Sequence, residues 1–391
     1  MKKLVATSLL ASTLLSSAAY AGDLNVKVYN PGDKGIFSVT STILYGDKDA
    51  ILVDAQFQKQ HAEKLVSMIK ETGKELKAIY ISQSDPDFYF GLDTVKKAFP
   101  NAKVFSTAQT AYLISASKDD KLAVWKDKLK EDAPQELIVP EAIKGKLTLE
   151  GVDIDIKEDK KDPAHSYLWV APLKTVLGGV SVSTGSHLWL ADAQSETAID
   201  NWISQIQSMK ALNPSQVIPS HYKTADYSPE ALTFVEGYLK NFKQAIQENK
   251  SSQDIISYMT EKYPDLPGKA SLEMGAKVYR GEIPWDVKSP YPAIGNTVKV
   301  DFAGTKFDIN FADNKTMSFI GTDGVFKGSA DTVTYTPVEV AKNVFMVYWH
   351  EPKSGSNVTH VQDYNKGIVY TNIARKDGNF VNLKGTLRVS E

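Results

Sequence analysis

The stretch "YISQSDPDFYFGL", Tyr80–Leu92, runs from an apolar, β-branched start into a polar knot and then into three aromatic rings closed by Gly91. The start reads as a strand and the knot as the loop beyond its end. Loops past strand ends are exposed while the strand fixes their origin, so this is where a layered α/β protein presents chemistry. Asp85 and Asp87 flank Pro86. Two carboxylates at that spacing can converge on a cation or act as an acid–base pair. The same residues also read as a helix N-terminus, with an Asp capping a helix that begins near Leu92.

Working outward, β-branched runs alternate with amphipathic stretches from Asp23 to about Ser220. "DAILVDAQF" (49–57), "KAIYISQ" (77–83) and "AKVFST" (102–107) read as strands, and His61–Thr72 and Leu92–Phe99 as helices. That alternation predicts α/β layers. Between Pro229 and Met274, Leu232, Val235, Leu239, Phe242 and Ile246 recur at three-to-four spacing, which predicts a helical pair covering a sheet. The piece Arg280–Asn296, with three prolines, reads as an exposed linker. After it the period changes to two. Runs such as "TVKVDF", "TVTYTPVEV", "VFMVYW" and "LKGTLRV", separated by turn signals such as Asp323-Gly324 and Asp377-Gly378, make about eight short strands and predict a small up-and-down barrel.

The 391 residues, 42% hydrophobic and 24% charged, are enough for a sizeable core and two or three domains. A net charge of −2 leaves no basic excess to neutralise phosphates, which argues against a nucleic-acid partner. At the N-terminus, Lys2 and Lys3 precede the apolar run "LVATSLLASTLL", and Ala19-Tyr20-Ala21 supplies a small-x-small cleavage pattern. This reads as a signal peptide over residues 1–21, with a mature start near Gly22 and the periplasm as destination. The run is too short to span a bilayer, so no membrane span is expected. Without a cysteine the chain has neither disulfides nor a lipoprotein acylation site.

Four landmarks fall in order: "AILVDAQF", "SQSDPDFYFG", "DPAHSYLWVAPLKTVLGGV" and "VIPSHY". Together, over roughly Asp23 to Lys277, they resemble the metallo-β-lactamase superfamily. The resemblance implies a four-layer αββα sandwich with its site at one sheet edge, built on His-x-His-x-Asp-His with further ligands from a His, an Asp and a last His. Here Gln83 and Asp85 stand where the first two His belong, Asp87 matches the Asp, and Phe88 replaces the third His. His165 and His221 match the later His, and Gly179 stands where the bridging Asp is expected. Asp54 matches a position that supports the site from behind; by residue type it is equally a strand-end turn Asp. His187, beside Trp189, is either near the pocket or a satisfied core histidine, and His61 is expected at the surface.

The family's two zinc ions lie about 3.5–4 Å apart and together generate a hydroxide. Gly179 and Phe88 argue against such a dinuclear centre. Asp85, Asp87, His165 and His221 remain as two carboxylates and two imidazoles, a set suited to one divalent metal, whether zinc, manganese or iron. An Asp is shorter than a His by about an ångström, which leaves the reach of Asp85 open. The pieces "VFMVYWHEP", "VTHVQDYNKGIVYTNI" and "LKGTLRV" resemble the lipocalin-like barrel of the MoaF family, which implies a small-molecule compartment over residues 296–391. His350 and His360 each have an even chance of facing its lumen.

The expected organisation is therefore a signal peptide (1–21), an α/β domain (22–279), a linker (280–295) and a β-barrel (296–391). Two functions follow. One is a periplasmic hydrolase of a small ester, lactone or amide, using one metal held by Asp87, His165 and His221, with Asp85 and Asp87 as its catalytic carboxylates and Asp85 as ligand or general base. The other is a non-catalytic protein that captures a small molecule. Oligomeric state is not legible.

Overall fold

The computed structural model describes residues 24–159, 161–224, 227–248 and 250–390. The expected signal peptide lies outside the described residues. Strands β1 (Asn25–Tyr29), β2 (Ser41–Tyr45), β3 (Asp49–Val53), β4 (Glu75–Tyr80), β5 (Lys103–Ser106) and β6 (Glu141–Ala142) form one sheet in that order. The first three are antiparallel and the joins from β3 onward are parallel. Parallel joins need crossovers, and these carry α1 (Lys59–Thr72), α2 (Pro86–Tyr89), α3 (Leu92–Ala98) and α4 (Ala108–Leu129). Strand β3 is buried on both faces, which is why "AILV" is a continuous apolar run: Ile51 and Val53 face a second sheet and Leu52 faces the helices.

The second sheet comprises β7 (Lys146–Leu149), β8 (Val152–Asp159), β9 (Asp162–Val170), β10 (Thr175–Leu177) and β11 (Gln216–Val217), in the order β11-β10-β9-β8-β7. Leu44, Ile51 and Tyr80 of the first sheet pack against Leu147, Ile154 and Leu168 of the second. Its outer face is covered by α5 (Glu196–Ala211), α6 (Glu230–Glu248), α7 (Ser252–Lys262) and α8 (Lys269–Tyr279). The expected αββα order is present. On α6 the apolar positions Leu232, Val235, Leu239, Phe242 and Ile246 are all buried. The expected helical pair is three helices, because Ser251 starts α7 by accepting from the Asp254 N–H and Gly268, at φ +83°, turns the chain into α8.

The knot after β4 does not cap the helix at Leu92. Pro86 opens the short α2, Asp85 stands at its N-cap position without a capping hydrogen bond, and α3 begins after Gly91. Gly91 is demanded by close approach, since a Cβ there would lie 2.0 Å from the Ala55 carbonyl oxygen.

Strands β12 (Thr297–Phe302), β13 (Thr305–Phe311), β14 (Thr316–Asp323), β15 (Ala330–Ala341), β16 (Val344–Glu351), β17 (Ser356–Asp363), β18 (Ile368–Ala374) and β19 (Phe380–Ser390) close into an antiparallel barrel, β12 pairing β19. Turns 303–304, 324–329, 352–355 and 375–379 share one end. The other end is plugged by Tyr291, fully buried among Phe311, Tyr335, Phe345 and Tyr364. Residues 280–295 therefore depart from the expected exposed linker. Trp285 is exposed, but Ser289, Tyr291 and Ala293 are buried, and Tyr112 of α4 reaches across to the same aromatic cluster. Apolar side chains in "SPYPAI" find a core on both sides, and burial outweighs the loop signature of the prolines.

Candidate functional site

The loop after β4 is tied to the loop after β3 through Ser82. Its N–H and Oγ–H donate to the two carboxylate oxygens of Asp54 at 2.8 and 2.7 Å, and its Oγ accepts from the Gly179 N–H at 2.7 Å. Asp54 is buried at φ +63°, a left-handed conformation that costs a non-glycine residue about 1–3 kcal/mol and is retained only where the surroundings over-determine it. Here the surroundings are Ser82 and a hydrogen bond from the Asp54 N–H to the Tyr80 carbonyl. Burial pushes the Asp54 carboxyl up to about 7 against the opposing effect of the Ser82 hydrogen bonds, and the charge of Asp87 adds to the rise.

Asp87 and His221 meet: His221 Nε2 lies 2.8 Å from Asp87 Oδ2, the carboxylate buried and the imidazole side chain 23% exposed. Phe88, fully buried, packs edge-on against the imidazole at 5.6 Å between centroids. Ser220 Oγ is 3.2 Å from His221 Nδ1, which completes a Ser–His–Asp series. It is no nucleophile, because Ser220 is buried and its hydroxyl donates to the Val182 carbonyl at 3.0 Å.

His165 pairs elsewhere, its Nδ1 2.7 Å from Asp162 Oδ1. Burial lowers its pKa, but the hydrogen bond and charge of Asp162 outweigh that effect, with Asp85 and Asp192 adding, so the net direction is upward. Asp85 lies 3.4 Å from Lys121 Nζ. Asp192 accepts from both Trp189 Nε1 and Trp285 Nε1, at 2.9 and 2.7 Å. The residue reaches solvent yet has protein around it, and that enclosure first, then Asp85, raises its carboxyl. Asp162, Lys121 and Asp192 are absent from the sequence reading. Asp162 had a signal, three residues before His165 in "DPAH"; Lys121 and Asp192 had none.

The remaining candidates are spent on structure. Gln83 is buried with its Oε1 accepting from the Ser84 N–H at 2.6 Å. His187 is a core histidine, its Nδ1 2.8 Å from the Tyr238 hydroxyl on α6. His61, expected at the surface, is buried with its Nδ1 2.8 Å from the Tyr29 hydroxyl, because the first turn of α1 packs under β1. At Gly179, φ is +72° and a Cβ would lie 2.1 Å from the Ser166 carbonyl oxygen, so β9 occupies the space that a bridging side chain needs.

These residues do not fit the metal centre that the resemblance implies. Among the described residues no three His, Asp or Glu side chains are grouped to hold a metal ion. Asp87 and His221 come together, and Asp85 lies within electrostatic reach of His165, but the four expected ligands do not converge on one point.

The barrel holds a cavity of about 530 Å³ that opens at the end opposite Tyr291. His360 lines it, whereas His350 points outward and pairs with Asn357.

Residues 294–388 match the model of the MoaF-like family. The chain is 23% identical over 226 residues to YobT of Bacillus subtilis (strain 168), an uncharacterised protein, in a match spanning 55% of this chain and 92% of that one. Among solved structures it is similar to a metallo-β-lactamase family protein from Thermus thermophilus, at 13% identity and a TM-score of 0.48, over 69% of this chain and 95% of that one. It is also similar to a metallo-β-lactamase from Pontibacter korlensis, at 18% identity and a TM-score of 0.40, over 56% and 100%. Among the described residues no helix is long and apolar enough to cross a membrane. The chain is an αββα sandwich followed, over residues 294–388, by a closed barrel that matches the MoaF-like family.

Proposed function

We propose that this chain is a periplasmic small-molecule-binding protein that keeps a hydrolase-type scaffold without its metal chemistry. One observation carries the reading: the side chains at the metal-ligand positions are committed to protein partners. His221 takes Asp87, His165 takes Asp162, Asp85 takes Lys121 and Gln83 folds onto Ser84. A donor in such a contact must break it before it can bind a metal, and ligand distances tolerate only about ±0.2 Å. The barrel supplies the compartment, its 530 Å³ falling within the ~300–1,000 Å³ usual for small-molecule sites. Export rests on the pattern of residues 2–21. The test is elemental analysis of protein isolated without chelators, with thermal melting in zinc, manganese and iron(II). Sub-stoichiometric metal and an unmoved melting temperature are expected. A full equivalent that raises the melting temperature by several degrees overturns the reading.

A second reading, hydrolysis of a small ester, lactone or amide, rests on the Asp87–His221 pair: a buried carboxylate holds a partly exposed imidazole at Nε2, and Nδ1 must leave its 3.2 Å contact with Ser220 before it can act as a general base. Turnover of an ester and lactone panel that vanishes in His221→Ala would establish it. No turnover by the native chain would dismiss it.

A further inference from the structure

The barrel cavity has an ordered set of protons at its inner end. The hydroxyls of Tyr291 and Tyr364 donate to Gln362 Oε1 at 2.7 and 2.8 Å. With the amide oxygen so engaged, Gln362 Nε2 is the group facing His360 Nδ1, at 3.4 Å. An N–H directed at Nδ1 requires a lone pair there, so a neutral imidazole carries its proton on Nε2. His360 is 4% exposed and wedged edge-to-face against Trp349 and Phe302, with centroids 4.7 and 6.0 Å away. Burial holds its pKa down to about 3, so the ring is neutral near pH 7. Directly opposite in the β17–β18 register stands Thr371, whose hydroxyl is buried and has no partner among the described residues. Both residues line the cavity.

The Thr371 hydroxyl, buried without a partner among the described residues, costs about 1–3 kcal/mol, and a ligand acceptor placed between it and the cavity-lining imidazole of His360 recovers that cost. A carboxylate is a poor candidate for that place, because its own desolvation is larger and no cation lines the inner end. The charged lining residues lie around the opposite mouth and balance in sign: Glu351 and Asp377 against Arg375 and Lys376. The walls, among them Val300, Phe302, Ile309 and Trp349, suit rings and aliphatic groups.

We propose that the barrel takes a neutral, ring-bearing apolar molecule and holds its carbonyl-type oxygen between His360 Nε2–H and the Thr371 hydroxyl. This deepens the binding reading above and rests on it for the barrel as ligand compartment.

The test uses the full mature chain and three probes of one outline, titrated calorimetrically: 2-acetylnaphthalene, 2-isopropenylnaphthalene, which lacks the acceptor, and 2-naphthoate. The ketone is expected to bind about tenfold tighter than the hydrocarbon, the measure of a hydrogen bond to an otherwise unpaired donor, and tighter than the carboxylate. His360→Phe should erase the ketone's advantage without weakening the hydrocarbon, and His360→Gln, which keeps an N–H, should restore part of it. Thr371→Val, close to isosteric, should narrow the advantage and carries the test should His360→Phe not fold. Ring-nitrogen NMR should find His360 as the neutral Nε2–H tautomer at pH 7, and the Nδ1–H tautomer would overturn the donor assignment. Equal binding of ketone and hydrocarbon, or tightest binding of naphthoate, overturns this inference and leaves barrel binding standing. Binding of none of the three overturns both.

Discussion

Gln109 of α4 clasps Tyr291 at both of its backbone polar groups: Gln109 Nε2 donates to the Tyr291 carbonyl at 2.7 Å, and the Tyr291 N–H donates to Gln109 Oε1 at 3.1 Å. One side chain of the α/β region thereby does for the barrel's plug what a neighbouring strand does in a sheet. Both residues are buried, so Gln109→Ala leaves a backbone N–H and C=O without partners. The expected loss is about 2–4 kcal/mol in urea unfolding. A loss below about 0.5 kcal/mol would show that the two parts do not rely on this contact.

The same clasp predicts where the connection is cut. The exposed part around Glu282 to Trp285 should be open to protease, whereas Ser289 to Ile294, buried beneath the barrel, should resist. After the cut the two pieces should co-elute in gel filtration, because Tyr112 and Leu113 share a core with Tyr291 and Phe345. Separate elution of two folded pieces would contradict that shared core.

Asp54 makes stability depend on pH in a defined window. Its carboxyl titrates near 3.8 in an ordinary environment and about 7 in the fold, mainly through burial. The folded chain therefore keeps a proton that the unfolded chain has released. The contribution of Asp54 is most favourable below about pH 4, declines as pH rises, and levels off above about pH 7. The swing is on the order of 4 kcal/mol. Asp54→Asn, which still accepts from Ser82, should remove it. Unfolding free energies measured from pH 4 to 8 should shift progressively in favour of Asn up to pH 7, and a difference constant with pH would show that Asp54 is not raised.

Introducing at position 179 the carboxylate that the resemblance leads one to expect should fail. Gly179→Asp places a Cβ against the Ser166 carbonyl at a left-handed φ, and the Gly179 N–H that holds Ser82 must move. The expected cost is about 3 kcal/mol or more in urea unfolding, without gain of a bound metal. A stable variant that binds zinc would show that β9 yields at this point.

The layers and the barrel are legible in the sequence because side-chain period is a local property. "AILV" reads as a strand, the α6 positions Leu232 to Ile246 keep helical spacing, and the strands after Asn296 alternate with period two. That Asp85, Asp87, His165 and His221 stand at positions where the family has metal ligands is an expectation from the resemblance, which orders landmarks along the chain without stating what each side chain touches.

What only the tertiary structure decided are the partners. Asp87 and His221 are 134 residues apart, and Gln109 and Tyr291 are 182 apart. Nothing in a local pattern reports a contact of that kind, since a buried polar side chain of either sort looks the same in sequence whether it awaits a metal or already has a protein partner. Residues 280–295 misled for the same reason, because prolines announce irregular backbone and say nothing about burial. At Gly179 a missing side chain reads only as a lost ligand, and the Ser166 carbonyl that fills its space becomes apparent once the two sheets are stacked. Helices and strands follow from energies between near neighbours, whereas the state of a site follows from which distant groups the packed layers press together.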